Sequence, residues 1–458
     1  MVRESAVREQ LDLLGTNEMI PVRNGENGNA GFADPAFAGN KSRPVHRWAP
    51  WIAGFSSEFI KGVLDRYVGR GGIVLDPFCG VGTTLVESLL NGCNSIGFEI
   101  NPYAALVSRV KVEGHKCGVD ELKDGIKRFK EFYLNAISSS QRPLSAPPER
   151  FKTRAAFYSP KVLKKVLLVQ DFLGLMRDGQ VKNIFRVAFA STMVRYSNYS
   201  YEPSLGRRVS AGKGEIGDFP VGETIVAKLT EMAEDIIWFR CQAIGVGSKA
   251  RIINETFLNY KAHLDPGSVD LVVTSPPYLN NYHYNRNTRP QLYWLGCVLS
   301  SDDLRALEEC NFGKFWQTVR ERDRVSLDFA LPNSDLEERL EKLRRLNPDK
   351  GIYGGNGWAN YACAYFNDCH NLAKCVKYAL KKGGSALIVL GNSILQGVHI
   401  PTDEYMAKIA EAEGLKLVGI EIPRSKRIGN SIIRSNVRAG KAKRSDNLYE
   451  AVVELRKI

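Results

Sequence analysis

The chain lacks a long apolar run, a paired-cysteine spacing and a secretory start, and each absence removes a class of protein. An apolar stretch such as 166–169 ends at once in Gln170 and Asp171, far short of the roughly 18 to 20 apolar residues that span a bilayer. The opening MVRESAVREQ is charged and has no apolar core of a signal peptide. A cytoplasmic protein with no membrane partner is therefore expected. Nine cysteines occur, an odd number, with no CxxC pair, so a disulfide framework is not expected. Cys363, Cys369 and Cys375 recur every six residues beside His370, but six residues turn a helix by about 240° and place successive thiols on different faces. Buried thiols rather than a metal site follow. Apolar residues make up 44% of the 458, which excludes a disordered or fibrous chain and leaves room for a large core. Lys and Arg number 63 against 50 Asp and Glu, a net charge of +13, which points to a polyanionic partner.

Residues 16–45 are rich in Gly, Asn, Pro and Ala without a sustained period, so 1–45 reads as a flexible arm or wrapped extension. From Gly71 short β-branched runs ending in Gly or Pro alternate with helical periods, the pattern of a parallel α/β sheet. GGIVLDPF and NSIGFEI read as strands flanking the helix TTLVESLLNG. From about 104 to 245 the chain is mostly helical, with Leu122, Ile126, Phe129 and Tyr133 spaced 4-3-4, and 116–244 is assigned as a helical insertion. Strands resume at 250–255 and 270–276. The charged but sign-balanced 300–360 reads as an exposed insertion. A helix, a strand and a second helix then lead to LKLVGIEIP and LYEAVVELRK. No helical period joins these last two strands, so an antiparallel pair at a sheet edge is expected.

Two segments carry chemistry. Asp76-Pro77-Phe78-Cys79-Gly80-Val81-Gly82-Thr83-Thr84 stands where a strand turns into a helix, the place at which open α/β sheets bind ligands and where glycines let backbone approach them. Leu85 occupies the third glycine position of a dinucleotide fingerprint and no GKS/T follows, which disfavours nicotinamide cofactors and nucleoside triphosphates. Glu99 ends the next strand, suited to accept from ribose hydroxyls. Thr274-Ser275-Pro276-Pro277-Tyr278 follows strand DLVV directly. Its prolines stiffen the turn and leave carbonyls free for an amino group, and Tyr278 offers a flat face to a base.

Together these segments resemble the exocyclic-amino DNA methyltransferases, whose cofactor motif is similar to DPFCGVGTT and whose catalytic motif is similar to TSPPY. The resemblance covers most of 46–115 and 250–458, and HRWAPWIAGFSSEF (46–59) is similar to the family's extra cofactor-binding segment, with Gly54 where a lysine is usual. It implies a seven-stranded, mostly parallel Rossmann-like sheet with an antiparallel last strand, formed by 46–115 and 245–458 and carrying the helical insertion. It implies S-adenosylmethionine as cofactor, bound by Asp76, Pro77, Phe78, Gly80, Gly82, Thr83, Glu99 and, near the adenine, Glu255, with Asn254 the alternative there. It also implies that Ser275 and the Pro276 carbonyl receive the target amino group, followed by Pro277, while Tyr278 stacks on a base flipped out of duplex DNA. Serine at the first catalytic position is commoner in the N4-cytosine enzymes, with N6-adenine as the alternative; RNA or protein amino-methylation and a non-catalytic DNA-binding subunit are less favoured. A carbon-5 cytosine enzyme would need a Pro-Cys dipeptide, which is absent. No metal is called for. Double-stranded DNA is the implied partner, and a separate restriction endonuclease is compatible with the length.

Two surfaces could meet DNA. Arg424, Lys426, Arg427, Arg434, Arg438, Lys441, Lys443 and Arg444 form a basic stretch without one acid, able to reach phosphates. Tyr196, Tyr199 and Tyr201 precede Arg207, Arg208 and Lys213, a mixture of aromatic faces and cations that suits nucleic acid. His283, in the polar stretch after the catalytic turn, could act as a base, though the chemistry of the resembled family needs none.

Overall fold

The computed structural model describes residues 22–24, 31–51, 54–201, 204–242, 247–279, 284–427 and 447–458. Seven strands form its main sheet: β1 (Ile73–Asp76), β2 (Asn94–Phe98), β3 (Ala250–Ile253), β4 (Val269–Thr274), β5 (Leu380–Gly391), β6 (Leu415–Arg427) and β7 (Asn447–Lys457). Their order is β3-β2-β1-β4-β5-β7-β6, and a three-residue strand, Val22–Asn24, adds to β6 as an eighth. The first five run parallel. β7 is antiparallel to both its neighbours, so β6 again points the same way as the first five. The expected antiparallel edge pair is thus one reversed strand, β7, inserted between β5 and β6.

Period-two alternation divides the sheet's side chains between its faces. Val74, Leu271, Val273, Leu387 and Val389 pack with Phe59, Ile60 and Val63 of α1 (Ser57–Tyr67). Leu75, Val272, Ala386, Ile388 and Leu390 pack on the other face, against α11 (Gly355–Ala379) and α12 (Thr402–Ala412). Between them, α2 (Thr83–Leu90) and α3 (Pro102–Glu113) follow β1 and β2. The helices α4 (Val119–Ser138), α5 (Pro160–Leu175), α6 (Gln180–Thr192) and α7 (Val221–Cys241) share one apolar cluster with α2 and α3. The first strands therefore connect through helices that are themselves the floor of the helical bundle. Two further helices complete the frame used below, α8 (Tyr284–Trp294) and α9 (Ser301–Glu309), with α10 (Leu336–Arg344) preceding α11.

Three sequence expectations are decided on folding. Of the two readings of 1–45, a flexible arm or a wrapped extension, residues 32–45 take the second and wrap onto the domain. Phe32 N–H donates to Glu421 at 2.9 Å, and buried Asn40 donates to the Phe55 carbonyl at 2.8 Å. Residues 300–360 are not simply an exposed excursion, because Phe312, Trp316, Val319, Leu336, Leu340 and Leu343 are buried in the cluster around α11. Their charges face out while an apolar stripe faces in, which sign-balanced composition alone does not reveal. Tyr196 and Tyr199 are core residues, 0% and 8% exposed, and Tyr196 stacks beside Tyr158. That removes two of the three aromatic faces suggested for nucleic acid. Cys363, Cys369 and Cys375 are buried free thiols on α11.

Candidate active site

Five parallel strands side by side bring their carboxyl ends to one rim, so Asp76 on β1, the residue after β2 and Thr274 on β4 are neighbours without being close in sequence. Asp76 is 2% exposed. Its carboxylate accepts from Thr84 Oγ1 at 2.6 Å, from Thr274 Oγ1 at 2.7 Å and from the Phe78 backbone N–H at 3.0 Å. Burial pushes its pKa up to about 6 against those donors. Chemically this is a buckle between the two motif segments: Thr84 belongs to the glycine loop and Thr274 directly precedes Ser275.

The glycines of the loop separate in role. Gly80 (φ +52°) would place a Cβ 3.2 Å from the indole nitrogen of Trp51, at the wall of the cleft. Gly82 (φ +83°) would place one 2.4 Å from Ser108 Oγ on α3. Only glycine holds such a left-handed turn at low cost, but at Gly82 the close neighbour is a helix and not open cleft. Cys79 is buried, and burial raises its thiol pKa, which suits packing.

A cleft opens above this rim. Pro77, Phe78, Gly80, Glu99, Ser275 and Pro277 line it. Glu99 lies deep in the fold with an edge open to the cleft. It accepts from the Asn101 backbone N–H at 2.7 Å, with the Gly80 backbone also bearing on it. Burial raises its pKa to about 7. Phe78, Phe257 and Phe312 make an aromatic corner in the same cleft, with ring centroids 5.0 to 6.1 Å apart. A smaller recess under the glycine loop is lined by Gly54, Asp76, Cys79, Thr83 and again Ser275. Ser275 therefore touches both spaces.

The other sequence-predicted residues fall as follows. Pro276 is buried, and Tyr278 is half-buried with its ring against Gly391, where a Cβ would lie 2.8 Å from it. Leu279, next in the chain, is held by Tyr361, whose hydroxyl donates to its carbonyl at 3.0 Å. Glu255 does not line the cleft. It is largely exposed and accepts from His263 at 3.1 Å and Asn259 at 3.2 Å, contacts that hold its pKa below the usual carboxylate range. Thr256 and Phe257, its successors, face the cleft in its place. Asn254 bonds to the Glu99 and Ile100 carbonyls at 2.7 and 3.3 Å, so it fastens the end of β3 to the end of β2. Arg424, Lys426 and Arg427 are carried by the outer end of β6. Arg434, Arg438, Lys441, Lys443, Arg444 and His283 lie outside the described residues.

Residues that sequence reasoning missed come from separate elements. Trp51 reaches the cleft from the segment before α1 and stacks on Tyr284 of α8 at 6.2 Å. Its neighbours are fixed from the helical bundle: Asp235 of α7 accepts from Val45 N–H at 2.8 Å, Trp48 Nε1 at 2.9 Å and Arg47 Nη2 at 2.7 Å. Asn101, Asn285, Asn311 and Phe312 also line the cleft. The Asn-Pro step at 101–102 is a helix-start signal, and Trp51 falls within the 46–59 segment that resembles a cofactor-binding one; Asn285, Asn311 and Phe312 arrive by tertiary contact alone.

A family model described as "DNA methylase" of the N6/N4 type matches residues 20–109, which contain Trp51, the glycine loop and Glu99. The chain is 26% identical over 439 residues to the Type II methyltransferase M.BsoBI of Geobacillus stearothermophilus, covering 86% of this chain and 83% of that protein. It is 23% identical over 404 residues to the Type II methyltransferase M.AvaI of Nostoc, covering 83% and 81%. A solved geranyl diphosphate methyltransferase overlaps 94% of this chain and 89% of its own at 8% identity and a TM-score of 0.30. Joined to the DPFCGVGTT loop and the TSPPY turn on one sheet rim, the sequence matches make the chain similar to the exocyclic-amino DNA methyltransferases of the N6/N4 type.

Proposed function

We propose that the protein is a site-specific methyltransferase of a Type II restriction–modification system, acting on the N4 amino group of a cytosine turned out of double-stranded DNA. The observation that carries the reading is the position of Ser275, at the carboxyl end of β4 and lining both the main cleft and the recess beneath the glycine loop. S-adenosylmethionine, when bound, supplies an electrophilic sulfonium methyl. The cleft suits it: the Phe78, Phe257 and Phe312 corner accepts a flat purine, and Glu99 accepts from ribose hydroxyls. The Ser275 hydroxyl and the Pro276 carbonyl accept from the target amino group, leaving its lone pair directed outward. Asp76, through Thr274 and Thr84, fixes the catalytic turn against the glycine loop, and positioning of this kind can supply roughly 7 to 11 kcal/mol. Flipping the base costs a few kcal/mol, and phosphate contacts from the 424–444 stretch help to offset it, each adding about 0.9 to the log–log salt slope. Such a system works in the cytoplasm, alongside a separate endonuclease.

Serine at the first catalytic position favours cytosine; N6 of adenine is the second reading, since the same two acceptors serve either amino group. Incubation of duplex DNA with labelled cofactor, then nucleoside mass spectrometry, decides between them. N4-methylcytosine is expected, N6-methyladenine would establish the alternative, and no transferred label would leave only a DNA-binding role. Ser275→Ala is expected to abolish transfer while S-adenosylhomocysteine still binds; unchanged turnover would remove Ser275 from the catalytic group.

A further inference from the structure

Among the described residues lining the cleft, Glu99 is the only charged side chain. A zwitterionic amino-acid tail bound there finds no cation among these residues, and a neutral donor among them can meet its carboxylate. One such donor is conspicuous. Asn285, at the start of α8, is 1% exposed and lines the cleft, yet its side-chain nitrogen is buried without a hydrogen-bond partner. A buried unpaired N–H₂ is costly and calls for an explanation.

The orientation of that amide follows from a chain of contacts. Asn101 caps α3, its Oδ1 accepting from the Tyr103 and Ala104 backbone N–H groups at 3.1 and 3.2 Å. Its own nitrogen must therefore face away from the helix, where it donates to Thr288 Oγ1 at 2.8 Å and to Asn285 Oδ1 at 3.2 Å. With its oxygen so engaged, Asn285 presents the nitrogen as its free end. Asn101 N–H also holds Glu99, and Tyr284, the preceding residue, stacks on Trp51 beside Gly80. Asn285 thus stands between the ribose acceptor and the glycine loop.

We propose that Asn285 is a specificity-determining residue, its amide donating to the carboxylate of the amino-acid half of the cofactor. The inference rests on the reading of the cleft as an S-adenosylmethionine site. Asn285→Asp keeps the acceptor for Asn101 but sets an acceptor and a negative charge where the donor stood.

The test compares S-adenosylhomocysteine with 5′-methylthioadenosine, which has the same nucleoside but no amino-acid tail, by calorimetry on the full chain. Asn285→Asp is expected to weaken S-adenosylhomocysteine by about tenfold or more, the worth of a hydrogen bond to a charged group, and to change 5′-methylthioadenosine by less than about threefold. Equal losses for both ligands, or none, would overturn the proposal. Asn285→Ser, shorter and uncharged, should give the same selective loss in smaller measure, and unfolding temperatures of both variants show whether the fold is intact. If the unchanged protein binds neither nucleoside, the cofactor reading itself falls and this inference with it; binding of both with an unselective variant overturns only the role of Asn285.

Discussion

Asp76 and Glu99 stand at the ends of adjacent parallel strands, each an acid that follows an apolar run, and each raised in pKa by burial. Their surroundings differ. Asp76 spends its oxygens on two threonines and a backbone N–H, all within the protein, whereas Glu99 takes backbone donors and keeps an edge on the cleft. The same sequence signal ends in a carboxylate bonded to two threonines and a backbone N–H at one strand end, and in one that lines the main cleft at the next. The lesson is that a strand-end carboxylate is assigned by what its remaining lone pairs face.

The comparison can be broken most directly at Asp76. Asp76→Ala strands the Thr84 and Thr274 hydroxyls in a dry site and should lower unfolding stability by about 2 to 4 kcal/mol in a denaturant titration, with transfer lost as the catalytic turn loosens. Glu99→Gln should instead leave stability near its original value and weaken S-adenosylhomocysteine by about tenfold; a stability loss as large as that of Asp76→Ala would erase the distinction. Gly82→Ala forces a Cβ onto Ser108 in a left-handed backbone and is expected to cost about 1 to 3 kcal/mol of stability. Gly80→Ala should cost less and act on cofactor affinity, because its neighbour is the Trp51 indole.

pH sharpens the same contrast at smaller amplitude. Both folded pKa values lie above those of an unfolded chain. The stability each acid contributes is therefore fully present below about pH 4 and is lost as pH rises through about 6 for Asp76 and about 7 for Glu99. For Asp76 the span is up to about 3 kcal/mol, and Asp76→Asn should flatten that part of the stability profile. Ribose hydroxyls donate best to the ionised Glu99, so S-adenosylhomocysteine affinity should rise with pH through about 7 and then level off. An affinity that is flat from pH 6 to 8 would separate Glu99 from the ribose.

The frame of the fold was readable because it rests on local periods. Apolar runs at 73–76, 269–274 and 385–391 and the amphipathic helix at 119–138 follow from side-chain spacing on strands and helices. The DPFCGVGTT and TSPPY segments were readable because each lies within one short turn of the chain. Glu255 was misplaced for the opposite reason: a one-residue change of facing puts Thr256 and Phe257 in the cleft and sends the carboxylate to His263. The inward side of 300–360 was hidden by balanced charges on the outward side.

By itself the sequence determined which residues form strands and helices, where the chain carries its excess positive charge and which two turns resemble the motifs of the DNA methyltransferases, since each depends on neighbours a few positions apart. Only the tertiary structure decided that Asp76 would join those turns across 198 residues, that Trp51, Phe257 and Phe312 would share one cleft, and that Asn101 would orient Asn285. These outcomes depend on the strand order of the sheet, which places residues side by side that no local period relates.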